Sequence, residues 1–221
     1  SAQMQGITVR QVGITDRTLV HTARNILAKG FLETECEWAF WMDSDMILEA
    51  RTIPLMLNWA KKLGPKAQML TGIYYQRMGE HRPILWRKET KSLDGKVHRT
   101  TKDRYSSHMV FPKKIGGVPF RVDVAGFGCV LMHRDVLEKL SRPYFRFDFY
   151  QDEEGRELEA SEDFYFFTKA REAGIELWAV PELKCGHLGH APIITHADMK
   201  TDLSSMVALD MGVQPLEAAT K

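Results

Sequence analysis

Two aspartates separated by one serine are the residues of this sequence best suited to chemistry. Asp43, Ser44 and Asp45 directly follow the apolar run Trp38–Met42, which is typical of a buried strand. In an extended segment the two carboxylates lie on the same side, where they can share a divalent cation or divide metal and ribose contacts between them. The alternative is a surface turn with Asp as a turn former. Because a chance turn rarely follows an unbroken apolar run, we favour a cation site for a diphosphate.

A second acidic pair, Glu162 and Asp163, follows Ser161 at the start of a predicted helix. Acids in the first turn of a helix complement its dipole under a serine cap, which is one interpretation. The other interpretation makes the pair catalytic, with Asp163 as a general base that accepts a proton from an acceptor hydroxyl. The spacing alone does not decide between them.

A glycine-rich turn, CGHLGH at residues 185–190, follows the last predicted strand. Its glycines allow the backbone to approach a ligand closely, and an imidazole can complete the coordination of a metal. We therefore predict that at least one histidine is a metal ligand, with His187 ahead of His190.

Besides Asp43 and Ser44 of the Asp-Ser-Asp motif, four further side chains are candidates for contacts with a donor nucleotide. Arg24 and Asn25 lie late on the first predicted helix, where the alternative role is an ordinary helix surface. Tyr74 and Arg77 close a predicted strand, and an aromatic ring and a guanidinium there could stack on a base or pair with phosphate.

Two glycines, Gly126 and Gly128, interrupt an apolar stretch. They indicate a bulge, a tight bend or close passage of a substrate.

The elements that must hold these residues alternate between strands and helices. We predict strands at 7–14, 38–42, 68–75, 84–87, 120–124, 129–132 and 175–180, and helices from Asp16 to Gly30, from Thr52 to about Gly64, at 135–140 and at 161–173. We expect Pro181 to end the last strand. This alternation predicts an α/β fold with a mostly parallel mixed sheet flanked by helices, in which ligands bind beyond the carboxyl ends of the strands.

The stretch from 77 to 119 lacks helical periodicity and is predicted to be an irregular basic insertion. From Arg77 to Arg121 it carries 12 Lys or Arg against 4 Asp or Glu, and Asp94-Gly95 predicts a hairpin turn. We expect one catalytic domain over residues 1–196 and a C-terminal helix and tail over 197–221, with the helix at about 197–211.

The bulk composition fits an ordinary globular protein. The 221 residues are 44% hydrophobic and 27% charged, which excludes a disordered chain. A net charge of +1 argues against nonspecific coating of nucleic acid. Three widely spaced cysteines exclude a disulfide framework or a thiolate zinc site and indicate a reducing cytoplasm. No apolar run is long enough to predict a transmembrane segment.

Five segments together resemble a known family. In order they are HTARNILAKGFL, WAFWMDSDMI, TGIYYQR, VAGFGCVLMHRDVLEKL and SEDFYFFTKAREAGIELWAVPELKCGHLGH. They resemble GT-A (nucleotide-diphospho-sugar transferase) glycosyltransferases of the family 2 type, including phage and archaeal members, over most of residues 20 to 190. A virus-encoded protein is therefore an expectation.

The resemblance implies roles for individual residues. Asp43 would contact the ribose or the metal, Asp45 and His187 would ligate Mn²⁺ or Mg²⁺, and Asp163 would be the base. Arg24 and Asn25 would border the donor. Such enzymes usually open with a strand and a turn that grips the nucleobase, and nothing before Ile7 resembles it. Either this first β-α unit lies outside the sequence, or the donor is held in an unusual way.

The expected function is inverting transfer of a sugar from a nucleotide-sugar donor, a UDP-sugar above all, to an acceptor hydroxyl. The acceptor is not identified, but the basic stretch is suited to an anionic one, such as a glycan, a lipid-linked sugar or a modified nucleic acid. Two alternatives are a metal-dependent phosphoesterase or nuclease built on Asp43, Asp45, Asp163 and His187, and a non-catalytic nucleotide-sugar-binding subunit.

Overall fold

A computed structural model describes residues 7–11, 18–77, 79–91, 97–99, 105, 108–110, 117–151 and 155–189. In chain order its elements are α1 (Val20–Leu32), β1 (Trp38–Met42), β2 (Met46–Ile47), α2 (Thr52–Leu63), β3 (Met69–Ile73), β4 (Leu85–Arg87), β5 (Glu89–Lys91), β6 (Val97–Arg99), β7 (His108–Met109), β8 (Phe120–Val122), β9 (Val124–Ala125), β10 (Cys129–His133), α3 (Arg134–Lys139), β11 (Asp148–Gln151), β12 (Glu157–Ala160), α4 (Glu162–Glu172), β13 (Leu177–Lys184) and β14 (Gly186–His187).

The central sheet has five strands in the order β1-β10-β3-β13-β8. Within the described chain β3 and β13 pair in parallel, whereas the other three pairs are antiparallel. The predicted mixed α/β architecture with flanking helices is confirmed, but the predicted mostly parallel sheet is wrong. Strand β10 lies between β1 and β3 and runs antiparallel to both, a direction that the alternation of strands and helices along the sequence does not specify.

The helices cover both faces of this sheet. Helix α2 packs on one face with Leu70, Leu131 and Val180, and helices α1, α3 and α4 contribute to the core on the other. Neighbouring residues of a strand supply opposite faces, because side chains alternate along a strand. This alternation explains why all five residues of β3 are buried.

The helices are found where the periodicity predicted them, but their ends differ. Helix α1 runs past Gly30 to Leu32 because Phe31 is buried in the core. Its end is held by Arg134, whose guanidinium donates to the carbonyl of Leu32 at 2.7 Å. The predicted Asp16 cap lies outside the described residues. Helix α2 ends at Gly64, as predicted, with φ of 78°.

Three strand predictions need correction. Residues 7–11 form no strand and Val9 is exposed, since no neighbouring strand pairs with them. Strand β1 contacts the core on both faces, through Trp41 on one and Phe40 on the other, but it is less buried than predicted: only Trp41 is fully buried, because β1 lies at an edge of the sheet. Strand β13 continues through Pro181, where a register shift between Ala179 and Lys184 removes the need for a ladder N–H.

The predicted basic insertion contains short strands. Strand β4 confirms the strand expected at 84–87, and β5 pairs antiparallel with β6 in a register that places Lys91 opposite Val97 along the backbone. This pairing is that of the predicted hairpin, although Asp94-Gly95 itself lies outside the described residues, as does the whole predicted C-terminal helix. No helix in the described ranges is both long and apolar enough to cross a membrane.

Candidate active site

The sequence-predicted residues converge at one end of the central sheet. Asp43 follows β1, Tyr74 follows β3, and Gly128 precedes the antiparallel β10. The short ladder between β2 and β14 pairs Met46 with His187. This ladder brings His187 close to Asp45, the second aspartate of the Asp-Ser-Asp motif, although the two residues are 142 positions apart in the sequence.

Arg24 is the centre of an acidic cluster, which consists of Arg24, Asp43, Glu162 and Asp163. Its guanidinium donates to Glu162 Oε1 at 2.8 Å, to Asp163 Oδ1, and to Asp43 Oδ1 at 3.2 Å. Only 7% of the Arg24 side chain is exposed. Arg24 is therefore not a helix-surface residue, and its contacts are with carboxylates of the chain itself.

The electrostatics of this cluster favour a proton on Asp163. Burial is the main cause that raises the pKa of Asp163 to about 7, and the charges of Glu162 and Asp43 add to it. Arg24 and the backbone N–H of Phe127 act in the opposite direction. Burial disfavours the charged form of Arg24 as well, but its three acidic partners raise its pKa above the ordinary value. Asp163 thus has the proton affinity that suits a general base near neutral pH.

Aromatic rings form the floor beneath Arg24. The guanidinium carbon lies 5.0 Å from the ring centroid of Phe127 and 6.0 Å from that of Phe145, within the range of cation–π attraction. Phe127 also packs edge-on against Trp41 and Phe166. Phe127 was not among the predicted site residues, although the glycines on either side of it mark this turn in the sequence.

Asp45 belongs to a second group, the open cluster, which consists of Asp45, His187 and Arg77. Asp45 Oδ2 lies 3.4 Å from His187 Nε2 and 2.8 Å from Arg77 Nη1. The structure therefore separates the two aspartates, because Asp43 pairs with Arg24 while Asp45 faces His187. The predicted sharing of one cation by both aspartates has no support in this arrangement.

Asp45 and His187 have the chemistry of a cation site. His187 Nδ1 lies 2.8 Å from the carbonyl of Tyr75, an acceptor, so Nδ1 donates to it and Nε2 is the ring nitrogen that faces Asp45 and could ligate a cation. Atoms 3.4 Å apart can both contact one ion at ligand distances of about 2.1 Å. Within the described ranges no group of three or more His, Cys, Asp or Glu is arranged to hold a metal. Further ligands would have to come from water or a bound diphosphate.

Tyr74 lies between the two clusters. Its hydroxyl accepts a hydrogen bond from Gly128 N–H at 2.9 Å, and its ring packs edge-on against His187 at 5.5 Å. Burial first, and then the charge of Asp163, raise its pKa well above the ordinary value. Tyr74 is only 4% exposed, so its ring is not available to stack on a nucleobase as predicted.

Gly126 and Gly128 are explained by this tyrosine. A Cβ at Gly126 would lie 2.1 Å from the Tyr74 hydroxyl oxygen, and a Cβ at Gly128 would lie 2.9 Å from it. Of the predicted explanations, the tight bend is confirmed by the turn at 127–128, and the side chain that passes close to both glycines is Tyr74. Their predicted contact with a donor stays a prediction.

The remaining candidates have mixed outcomes. Asn25 donates to the carbonyls of His21 and Phe145 and accepts from Tyr144 N–H and Phe145 N–H. Its amide is therefore fully used in anchoring α1 to residues 144–145, and it has no free atom for a donor. Ser44 is exposed in the turn between the aspartates. His190 lies outside the described residues.

Two thiols lie beneath the site. Cys129 and Cys185 are buried, and their sulfurs would lie 2.9 and 2.6 Å from a Cβ built on Gly72. A hydrogen bond with Cys129, together with burial, raises the pKa of the Cys185 thiol far above its ordinary value. Gly72 is needed here because a side chain would collide with both sulfurs.

A cleft of about 380 Å³ lies at the other end of the strands. Its lining includes Trp38, His133 and Gln68, which begin β1, end β10 and precede β3. None of the predicted site residues lines this cleft, because they lie at the opposite end of the strands.

Comparison with known proteins identifies the fold but no family. No protein-family model matches the chain, and no curated protein matches it. Among solved structures it is similar to A197 from STIV, with a TM-score of 0.53 and 20% sequence identity, over 92% of this chain and 83% of that one. The two proteins share a fold. At this identity the likeness carries no information on activity, so the function must be argued from the two clusters.

Proposed function

We propose that this protein is a metal-dependent glycosyltransferase that moves a sugar from a nucleotide-sugar donor to an acceptor hydroxyl. The proposal rests on one observation, the division of the site into two adjacent clusters. The acidic cluster contains a carboxylate whose pKa is raised to about 7, and the open cluster contains a carboxylate and an imidazole that face each other at 3.4 Å. Sugar transfer needs a base and a leaving-group site side by side.

In this proposal Asp163 accepts the proton of the acceptor hydroxyl while the hydroxyl oxygen forms a bond to the anomeric carbon. The bond from that carbon to the diphosphate oxygen breaks, and its electron pair leaves with the nucleoside diphosphate. Arg24 holds Asp163 in place through its guanidinium. Asp45 and His187 would hold Mn²⁺ or Mg²⁺, which when bound supplies positive charge for the leaving diphosphate.

Asp43 differs from Asp45 in what it can offer. Its side chain is 44% exposed and touches Arg24 at 3.2 Å, so one face remains open. Between the two roles that the resemblance implies for Asp43, this position favours contact with the donor ribose over ligation of the metal.

A metal-dependent phosphoesterase or nuclease is less well supported. It would need Asp43, Asp45, Asp163 and His187 around one or two cations. Arg24 already forms ion pairs with Asp43 and Asp163, and its guanidinium would repel a metal cation placed between these two carboxylates. UDP-sugar binding without phosphodiester cleavage would argue against this alternative, and slow donor hydrolysis with Mn²⁺ would argue against a non-catalytic binding subunit.

The two clusters predict different defects. Asp45→Asn should weaken Mn²⁺-dependent binding of UDP-sugars by about tenfold or more, because one charged ligand is lost. Asp163→Asn should leave this binding intact and remove transfer. Calorimetry and a transfer assay over a panel of UDP-sugars and acceptors would measure both.

Asp135→Asn is the matched control, since this exposed carboxylate lies at the other end of the sheet. It should change neither quantity. Full transfer by Asp163→Asn would show that the base is assigned incorrectly, and unchanged Mn²⁺ dependence in Asp45→Asn would show the same for the metal ligand.

A further inference from the structure

One carboxylate oxygen of Asp45 lies close to two other side chains. Oδ2 lies 2.8 Å from Arg77 Nη1 and 3.4 Å from His187 Nε2. A cation held by Asp45 and His187 would therefore need the oxygen that Arg77 now contacts. A divalent cation and a guanidinium repel each other, so both cannot share this oxygen closely.

The Asp45–Arg77 pair can be exchanged at little cost. The Arg77 side chain is 53% exposed and that of Asp45 is 28% exposed, and ion pairs in contact with water are weak. Arg24 has the opposite setting, since it is buried and contacts three carboxylates. Of these two arginines, only Arg77 can leave its partner without leaving a charge buried.

We propose that Arg77 is an exchangeable counterion of the metal site. It neutralises Asp45 when no cation is bound, and a divalent cation at Asp45 and His187 displaces it. The freed guanidinium then pairs with the diphosphate of the donor, for which its planar fork of N–H groups is suited. The second half of this proposal rests on the proposed function, whereas the first half concerns the cation alone.

This exchange would couple binding of the cation to binding of the diphosphate. A site with one carboxylate and one imidazole binds a divalent cation weakly unless a phosphate adds ligands. Because Arg77 competes with the cation and later attracts the diphosphate, cation and diphosphate favour each other's binding. A cation without diphosphate is readily replaced by Arg77.

The first experiment measures binding of Mn²⁺ alone to the full chain by electron paramagnetic resonance. Arg77→Ala should bind Mn²⁺ about two- to fivefold more tightly than the original protein, because an exposed ion pair of this strength no longer competes. Arg121→Ala is the control. The Arg121 side chain is 55% exposed, and its Nη1 lies 3.2 Å from Glu176 Oε1, outside both clusters. This variant should leave Mn²⁺ affinity unchanged. Unchanged or weaker Mn²⁺ binding by Arg77→Ala would overturn the exchange.

The second experiment measures UDP and UMP binding at saturating Mn²⁺. Arg77→Ala should bind UDP about tenfold more weakly, because a charge-assisted contact is lost, and should bind UMP almost as well as the original protein. Arg77→Lys should lose less, because it keeps the charge without the fork. Equal losses for UDP and UMP would overturn the diphosphate contact.

The two failures can be told apart. If the original protein binds no UDP at saturating Mn²⁺, the proposed function fails, while the experiment with Mn²⁺ alone still decides whether Arg77 and a cation compete. The melting temperature of each variant shows that it is folded, which the exposure of Arg77 leads us to expect.

Discussion

The two clusters at the end of the central sheet contain the same kinds of charge in different surroundings. In the acidic cluster a buried arginine contacts three carboxylates above a floor of aromatic rings. In the open cluster a half-exposed arginine contacts one carboxylate that also faces an imidazole. Burial makes the first arrangement fixed, because separating its charges would leave them unsolvated. Exposure makes the second one exchangeable, because water can replace either partner.

Fixed and exchangeable charges suit different tasks. A base must stay at one position with a defined proton affinity, and a fixed counterion provides both. A site for a cation and a leaving group must fill and empty in each turnover. This difference is what the proposed function requires, with proton transfer at the acidic cluster and exchange of cation and diphosphate at the open cluster.

The largest effect on stability is expected when the buried arginine of the acidic cluster is replaced. Arg24→Met should lower the free energy of unfolding by about 3–5 kcal/mol, because the buried Glu162 and the largely buried Asp163 lose their counterion. Arg77→Met, at the exposed pair, should change it by about 0–1 kcal/mol. Urea denaturation followed by circular dichroism measures both. Similar values for the two variants would contradict the distinction between fixed and exchangeable arginines.

A smaller effect on stability is expected at Tyr74, which lies between the two clusters. Gly126→Ala places a methyl group 2.1 Å from the Tyr74 hydroxyl oxygen, and overpacking of this kind costs about 1–3 kcal/mol. Tyr74→Phe alone should cost about 1–3 kcal/mol, because Gly128 N–H loses its acceptor. The double variant should be less destabilised than the sum, since the missing hydroxyl makes room for the methyl group. Strictly additive losses of unfolding free energy in thermal or urea denaturation would show that Gly126 and Tyr74 are not packed as described.

The smallest effect concerns the stability contributed by Asp163. Its pKa is raised from 3.8 to about 7 in the folded protein. Its stabilising contribution is therefore complete below pH about 4 and is lost as the pH rises through about 7. Asp163→Asn should raise the melting temperature by about 2–4 °C at pH 8, equivalent to about 1 kcal/mol. The gain should shrink as the pH falls towards 5, and a gain independent of pH would contradict the raised pKa.

Much of the fold could be predicted from the sequence because its signals are local. The apolar run before Asp43, the periodicity of α1 and α2 and the glycine after α2 all predicted elements that the structure contains. The direction of β10 was not predictable in this way. It depends on which strands become neighbours in space, and the short turn at 126–128 does not encode that.

The candidate site was predicted in its membership but not in its arrangement. Residue types and order indicated Asp43, Asp45, Asp163 and His187 as one group, and the structure brings them to one edge. That Arg24 divides them follows from its burial against Phe127, which no local pattern expresses. Likewise, the carbonyl of Tyr75 orients His187, and a backbone group has no signature in the sequence.

The packing of Cys129 and Cys185 around Gly72 has a consequence for the chemical reactivity of the protein. Sulfur is nucleophilic as the thiolate, and the raised pKa of Cys185 keeps that thiol protonated. Electrophiles and oxidants would therefore modify the half-buried Cys36 first. Cys185 therefore packs next to the candidate site as a compact, polarizable side chain and not as a nucleophile.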